Sequence, residues 1–479
     1  MRAILLCCFV LLGSCATTRA PVETDAPKPV SPWVENLRPT TDRIIQYART
    51  KNRGYERLEQ LCDGIGHRLS GSKSLNKAIE WALHVLRDDK QENVHSEPVM
   101  VPRWTRGKES LEMLKPRREP LVMLGLGGSV GTRRSGLKAQ VVVVHNEEEL
   151  EQLGTGVKGK IVLFNNPMPK YDPATGSGYG HTVRFRVHGP SMAAKYGAKG
   201  ILVRSVTAHS LRSPHTGATR YAKDVKQIPA AAITTEDAEM IDRLIASGEK
   251  VVVRLKMEAR NRGKVPSANV VAELKGRELP DEIVVIGAHI DSWDVGQGAH
   301  DDATGVVMAM ESLRILREMN LRPRRTIRVV LWTNEENGLA GGRAYANDHS
   351  TQLDKHVAAI ESDSGGFQPV GYSIELENKA REAVAAETLK ELLPLFKSIG
   401  PMTIKQGFSG ADIRPMKPYN VPLMGFRVDG KDYFDYHHSH ADTLDKVDPT
   451  EFSNCIASMA TMAYVLAEMP GRLTQTGVR

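Results

Sequence analysis

From Ala268 onward the chain alternates between β-forming runs and helix-like stretches. The runs are Glu282-Ile283-Val284-Val285-Ile286, Thr326 to Trp332 and Val357-Ala358-Ala359-Ile360; between them lie Gly305 to Glu318 and Gly341 to Asn347. Strands that alternate with helices predict an α/β fold, here a mostly parallel sheet sandwiched by helices. In such sheets ligand sites gather outside the C-terminal ends of the strands.

Those ends carry His, Asp and Glu. The first run continues through Gly287 and Ala288 into His289, with Asp291 two residues on. An Asp in that place is positioned to accept the second imidazole N–H and fix the ring. Ala299-His300-Asp301-Asp302-Ala303 opens the following helix, Trp332 leads to Glu335-Glu336, the third run leads to Glu361-Ser362-Asp363, and His437-His438-Ser439-His440-Ala441-Asp442-Thr443 stands near the C-terminus. A single His or Asp after a strand is usually a cap, and a Glu pair alone is usually a solvated loop. As a set they bring histidines and carboxylates without thiolates into one crevice, a donor chemistry that suits zinc. Adjacent Glu335 and Glu336 diverge, so one can hold metal while the other serves a water.

Taken together, His289-Ile290-Asp291-Ser292-Trp293-Asp294, Trp332-Thr333-Asn334-Glu335-Glu336, Glu361-Ser362-Asp363 and His437-to-Thr443 resemble the carboxypeptidase Q-like co-catalytic di-zinc exopeptidases. The likeness spans about residues 40 to 465 and includes Arg68-Leu69-Ser70-Gly71-Ser72 and Ser213-Pro214-His215-Thr216-Gly217. The resemblance implies two Zn2+ ions: His289 and Asp363 on one, Glu336 and His438 on the other, and Asp301 between them. It implies Glu335 as general base, Asp291 and Asp442 behind the ligands, and a cis Asp301–Asp302 peptide. His437 and His440 flank His438; the family spacing from the ligand His to Asp442-Thr443 selects His438. Ala303-Thr304 replaces a run of glycines found in carboxypeptidase Q-like sequences. The implied activity is hydrolysis of dipeptides or short peptides by a metal-activated water, with a homodimer as a further implication. The competing readings are a broader aminopeptidase and a glutaminyl-cyclase-like enzyme on the same core. A third, of another class, is a non-catalytic binding module that would have lost ligands present here.

Other parts of the chain frame this core. Residues 126–262 carry short β runs, such as Gln140 to Val144 and Lys160 to Phe164, between Gly-rich loops, and resemble an inserted protease-associated domain. The catalytic domain is then expected over 41–125 and 263–479. Met1, Arg2 and the apolar run Ala3 to Leu12 read as a signal peptide over 1–14. Leu12-Gly13-Ser14-Cys15 resembles a bacterial lipobox, which implies an exported protein lipidated at Cys15, held to the cell envelope by a Pro-, Thr- and Ala-rich tether over 15–40. The net charge of +7 comes from scattered basic residues, with no Lys/Arg run and no nucleic-acid module. Cys62 and Cys455 either pair or stay as free buried thiols. Trp293 and Trp332 are expected in packing. His215 reads equally as an active-site or a surface residue, and Ser409-Gly410-Ala411-Asp412 equally as pocket wall or turn.

Overall fold

A computed structural model describes residues 31–475 except 174. The expected signal peptide, Cys15 and the start of the tether lie outside these residues.

The larger of two eight-stranded sheets has the order Glu92–Thr105, Arg260–Leu274, Arg325–Trp332, Leu279–His289, His356–Glu361, Leu423–Val428, Pro369–Glu375, Thr403–Gln406. Its middle strands, from Arg325–Trp332 to Leu423–Val428, run parallel. The flanking pairs, Arg260–Leu274 on Arg325–Trp332 and Pro369–Glu375 on Leu423–Val428, are antiparallel. Every residue of Arg325–Trp332 and of His356–Glu361 is buried, as strands covered on both faces must be. One face is covered by the helices Pro32–Lys51, Thr304–Glu318 and Pro449–Glu468, the other by Ala340–Asp348, whose Tyr345 packs with Trp332 and Val285.

The helix Pro32–Lys51 begins inside the segment expected as tether. Pro32 occupies the first turn, where its missing N–H costs nothing, and Val34 is fully buried, so residues 32–40, expected within the tether, belong to a docked helix. Ser72 caps the helix Lys73–Asp88 by accepting from the Leu75 N–H. Buried charges on this side are paired: Arg57 lies 2.6 Å from both Asp89 and Glu311, and Arg314 lies 2.8 Å from Glu311. Cys62 and Cys455 are buried free thiols. No described helix is long and apolar enough to cross a membrane.

The second sheet takes its strands from 109–257, in the order Glu119–Leu121, Glu109–Lys115, Val252–Met257, Leu137–Val144, Ile161–Phe164, Gly200–Arg204, Ala230–Ile233, Met123–Gly125. Three of these strands precede residue 126, where the insert was expected to begin. The first of them, Glu109–Lys115, carries a period-2 alternation that places Leu111 and Met113 in the core between exposed or half-exposed neighbours. The chain enters and leaves this unit along Glu92–Thr105 and Arg260–Leu274, which pair antiparallel over most of their lengths. Trp293, from the loop after His289, is buried in the core of the second unit with Leu111 and Met257. Gly127 lies so close under the indole that a Cβ there would stand 1.9 Å from Trp293 Cη2.

Candidate active site

Every strand-end residue singled out above lies at one end of the larger sheet. His289 is the last residue of its strand; Asp301 follows in Ala299–Ala303; Glu335 and Glu336 follow Arg325–Trp332; Asp363 follows His356–Glu361; His438 follows the short helix Tyr433–Tyr436. The two oxygens of Asp301 face different histidines: Oδ1 lies 3.1 Å from His289 Nε2, and Oδ2 lies 3.2 Å from His438 Nε2. Asp363 Oδ1 stands 3.5 Å from His289 Nε2, and Glu336 Oε2 stands 3.0 Å from His438 Nε2. The Asp301–Asp302 peptide is cis.

Asp302 and His437 join this cluster. Donor atoms of His289, Asp302 and Asp363 lie within 4.8 Å of one another, as do those of Asp301, His437 and His438, and those of His289, Asp301 and Glu336. The Asp302 carboxylate is already engaged, accepting from the backbone N–H groups of His289 at 3.3 Å and Gly305 at 3.1 Å. His437 Nε2 lies 3.7 Å from Asp301, farther than His438, and its ring stacks on His438 with centroids 3.5 Å apart. His440, the other neighbour weighed, is exposed and belongs to none of these groups.

The residues behind the cluster differ in one respect from the sequence reading. His289 Nδ1 donates to the backbone carbonyl of Asp291 at 2.9 Å, while the Asp291 carboxylate is 3.9 Å away. That carboxylate instead accepts from the Glu335 backbone N–H at 3.0 Å and the Ser70 hydroxyl at 2.9 Å. It therefore holds the Glu335 loop, not the imidazole. Asp442 accepts from the backbone N–H groups of His300 at 2.8 Å and Asp301 at 3.2 Å and so fixes the loop that carries Asp301. Arg68, fully buried, donates to the carbonyls of Ile290, Gln297 and Gly298 and braces the same loop from below.

The 213–217 motif reaches the site. The His215 imidazole is buried with Nδ1 donating to the His437 carbonyl at 2.6 Å, and burial pushes it down to about 4, so it is neutral. Thr216 N–H donates to the His438 carbonyl at 2.9 Å, and the Thr216 carbonyl faces His438 Nδ1 at 3.4 Å. His438 itself has a positive φ of 60°, a conformation that this pair of contacts supports. No local pattern announced these contacts, because the partners lie more than two hundred residues apart in sequence.

The electrostatics are those of a site short of positive charge. Burial, then the charges of Asp363, Glu336 and Asp412, push the Glu335 carboxyl well above the usual range. Burial and Asp301 raise both Glu336 and Asp442 to about 7; burial and Asp363 raise Glu361 to about 7. Asp412, from the Ser409-to-Asp412 stretch, is fully buried with no partner for either oxygen. His289 Nε2 and Glu336 Oε1 are likewise buried without hydrogen-bond partners. Buried acids elsewhere in this domain have Arg or Lys partners, as Glu311, Glu375 and Glu382 do; the acids of this cluster have neither, and the orphaned donor atoms converge. Nitrogen and carboxylate donors around uncompensated negative charge fit divalent cations, and the absence of thiolates fits zinc.

The cluster opens on a cavity of about 670 Å3 lined by residues of both units, including Asp301, Glu335, Glu336, Asp363, His437 and His438 from the larger sheet and Tyr179 and Arg186 from the second.

The profile of peptidase family M28 matches residues 269–463. Carboxypeptidase Q of Mus musculus is 41% identical over 433 residues, 90% of this chain and 89% of that protein; the Homo sapiens protein is 40% identical over the same shares. A crystal structure described as a peptidase M28 precursor from Shewanella amazonensis superposes with a TM-score of 0.86 at 36% identity, covering 92% of this chain and 98% of that one. A zinc aminopeptidase from Bacillus subtilis shares the fold with a TM-score of 0.63 at 17% identity, covering 88% and 96%.

Proposed function

The chain belongs to peptidase family M28, and from that premise we propose that it is a zinc-dependent exopeptidase acting on dipeptides or short peptides. The observation that carries this reading is Asp301, whose two oxygens face His289 and His438 separately. In the proposal His289, Asp301 and Asp363 would hold one zinc ion, and Asp301, Glu336 and His438 would hold a second. Bound there, zinc supplies Lewis acidity: it polarises a carbonyl and lowers the pKa of a water from 15.7 to about 7.

The remaining chemistry belongs to the chain's own groups. The Glu335 carboxylate, at the cavity wall, takes a proton from the attacking water and returns it to the leaving amine. Asp291 fixes where Glu335 stands through its backbone N–H. Asp442 and Arg68 hold the Asp301 loop, and His215 with Thr216 holds His438, so the donors are positioned before substrate arrives. The wall from the second unit narrows the cavity to short peptides. Export and lipidation at Cys15, and a homodimer, complete the proposal on the strength of the N-terminal sequence and the family likeness.

Metal content by elemental analysis, paired with dipeptide hydrolysis before and after chelation, tests the reading. Two zinc per chain, activity lost on chelation and regained with zinc, and a Glu335→Gln variant that keeps both metals but loses nearly all turnover are expected. Hydrolysis that survives chelation, or a fully active Glu335→Gln, rules it out.

A further inference from the structure

A second depression, of about 630 Å3, lies on the second unit and shares no lining residue with the cavity at the cluster. It is built around the stretch 256–260, where Val252–Met257 passes into Arg260–Leu274. Two segments are pinned to that stretch. The Glu258 N–H donates to the Lys108 carbonyl and the Lys108 N–H to the Glu258 carboxylate, each at 3.1 Å. The Thr132 N–H donates to the Met257 carbonyl at 2.8 Å, and Thr132 Oγ1 accepts from the Met257 N–H at 3.1 Å. So close an approach needs glycine at 131, where a Cβ would stand 2.7 Å from the Met257 carbonyl oxygen.

Lys108, Arg133, Arg134, Lys256 and Arg260 line this trough, and all five are exposed. Among the described residues none of them stands in an ion pair, whereas exposed cations elsewhere, such as Arg53 and Arg277, stand on carboxylates. The trough's own two acids are engaged: Glu258 by the Lys108 N–H, and Glu109 by the Gly125 N–H at 3.1 Å and by Arg106 at 3.5 Å. Two more exposed cations, Arg262 and Lys264, follow along Arg260–Leu274 and are also without an ion pair among the described residues. Of the lining only Met257 and Ala259 are buried, so no buried polar side chain is aimed at one small anion. No aromatic ring lines the trough, so a nucleic-acid base would find nothing to stack on. Long cations fanned out in water suit a broad field of phosphates.

We propose that the trough docks the protein on an anionic lipid surface, with its cations among the phosphate head groups. Each Lys or Arg close to such a surface raises partitioning about fivefold, and the five here act together. Reach adds a second argument, which rests on the lipidation of Cys15 proposed above. Fully extended, the chain from Cys15 to Ser31 covers at most about 55 Å. That is about the diameter of a folded body of this length, so any face of it can meet the lipid, and charge selects which one does. The trough takes none of the cavity's lining, so docking leaves the residues of the candidate active site free.

Amide hydrogen exchange of the full chain, mixed with vesicles of phosphatidylcholine alone or with phosphatidylglycerol added, tests the docking. Exchange across 107–110, 131–136 and 256–262 is expected to slow about fivefold or more on the anionic vesicles only, and to recover in high salt. Arg133→Glu with Arg134→Glu, and separately Lys108→Glu with Lys256→Glu, are expected to abolish the protection while leaving Tm unchanged. Either pair decides the matter if the other fails to fold. Equal exchange on the two vesicles, or protection that survives both reversals, overturns the proposal. So does the same protection by inorganic phosphate without vesicles, which would make the trough a small-anion site. A chain anchored at Cys15 is expected to float with both vesicle types. Flotation with the phosphatidylglycerol vesicles only, with the protection intact, supports the trough and removes the anchor.

Discussion

Thr216 donates its backbone N–H to the carbonyl of His438 at 2.9 Å, across the boundary between the two sheets. With His215 on the His437 carbonyl, it makes the second unit part of the histidine loop's support. As a proposed zinc ligand, His438 would depend on residues that never touch the metal.

Replacing His215 by Ala removes the 2.6 Å contact and frees the loop. Zinc affinity at the His438 position is expected to fall about 10- to 100-fold, the usual scale for outer partners of metal ligands, while the His289 position is spared. Competitive zinc titration against a chromophoric chelator reads this as one weakened site of two. Two equally weakened sites would mean that His215 supports the whole fold rather than this loop.

Asp291 separates two roles that the sequence joins. Its carbonyl orients His289, and its carboxylate orients Glu335. Asp291→Ala leaves the carbonyl in place, so zinc content is expected to stay near wild type. The Glu335 N–H loses its acceptor, and kcat is expected to fall on the order of 100-fold with little change in KM, as for a misplaced catalytic group. Asp291→Asn, which keeps one acceptor oxygen, is expected to lose less. Loss of zinc in Asp291→Ala would return the carboxylate to the role of imidazole partner.

His356 makes stability depend on pH at a point remote from the cluster. Its Nδ1 donates to the Gln352 carbonyl at 3.0 Å, so Nε2 accepts from the Tyr345 hydroxyl at 2.9 Å, which in turn accepts from Arg328. Burial lowers the ring to about 4 in the folded chain, below the ordinary 6.5. Between those values the unfolded chain binds the extra proton. The contribution is therefore complete above about pH 6.5 and declines as pH falls toward about 4, by roughly 3 kcal/mol. Denaturant midpoints measured from pH 4 to 7 are expected to fall less steeply in His356→Asn, by the slope of about one proton. Parallel curves for the two proteins would locate the titration elsewhere.

Three of the four parallel strands could be read from sequence because each is a short apolar run broken by glycine and polar residues; Leu423–Val428 was not read. His289, Glu335, Glu336 and Asp363 could be read because they sit at or just beyond the ends of those runs, whereas Asp301 and His438 lie on other segments and were picked out by the family likeness. What escaped reading did so for physical reasons. Glu92–Thr105 and Arg260–Leu274 are half-exposed along much of their lengths and interrupted by Pro98, Pro102 and Pro266, so they lack an apolar run. Pro449–Glu468 is buried continuously from Cys455 to Ala467, which leaves no stripe to reveal a period of 3.6. The Asp291 assignment turned on which oxygen of one residue meets a ring, and sequence carries no information on that.

The support for His438 also has a direction in time. A ribosome delivers the chain from its N-terminus, and domains tend to fold as they emerge. Residues 109–257, with Thr216 among them, are complete before His438 is synthesised. The histidine loop is thus among the last parts of the site to be made, and it arrives at a seat already shaped to receive it.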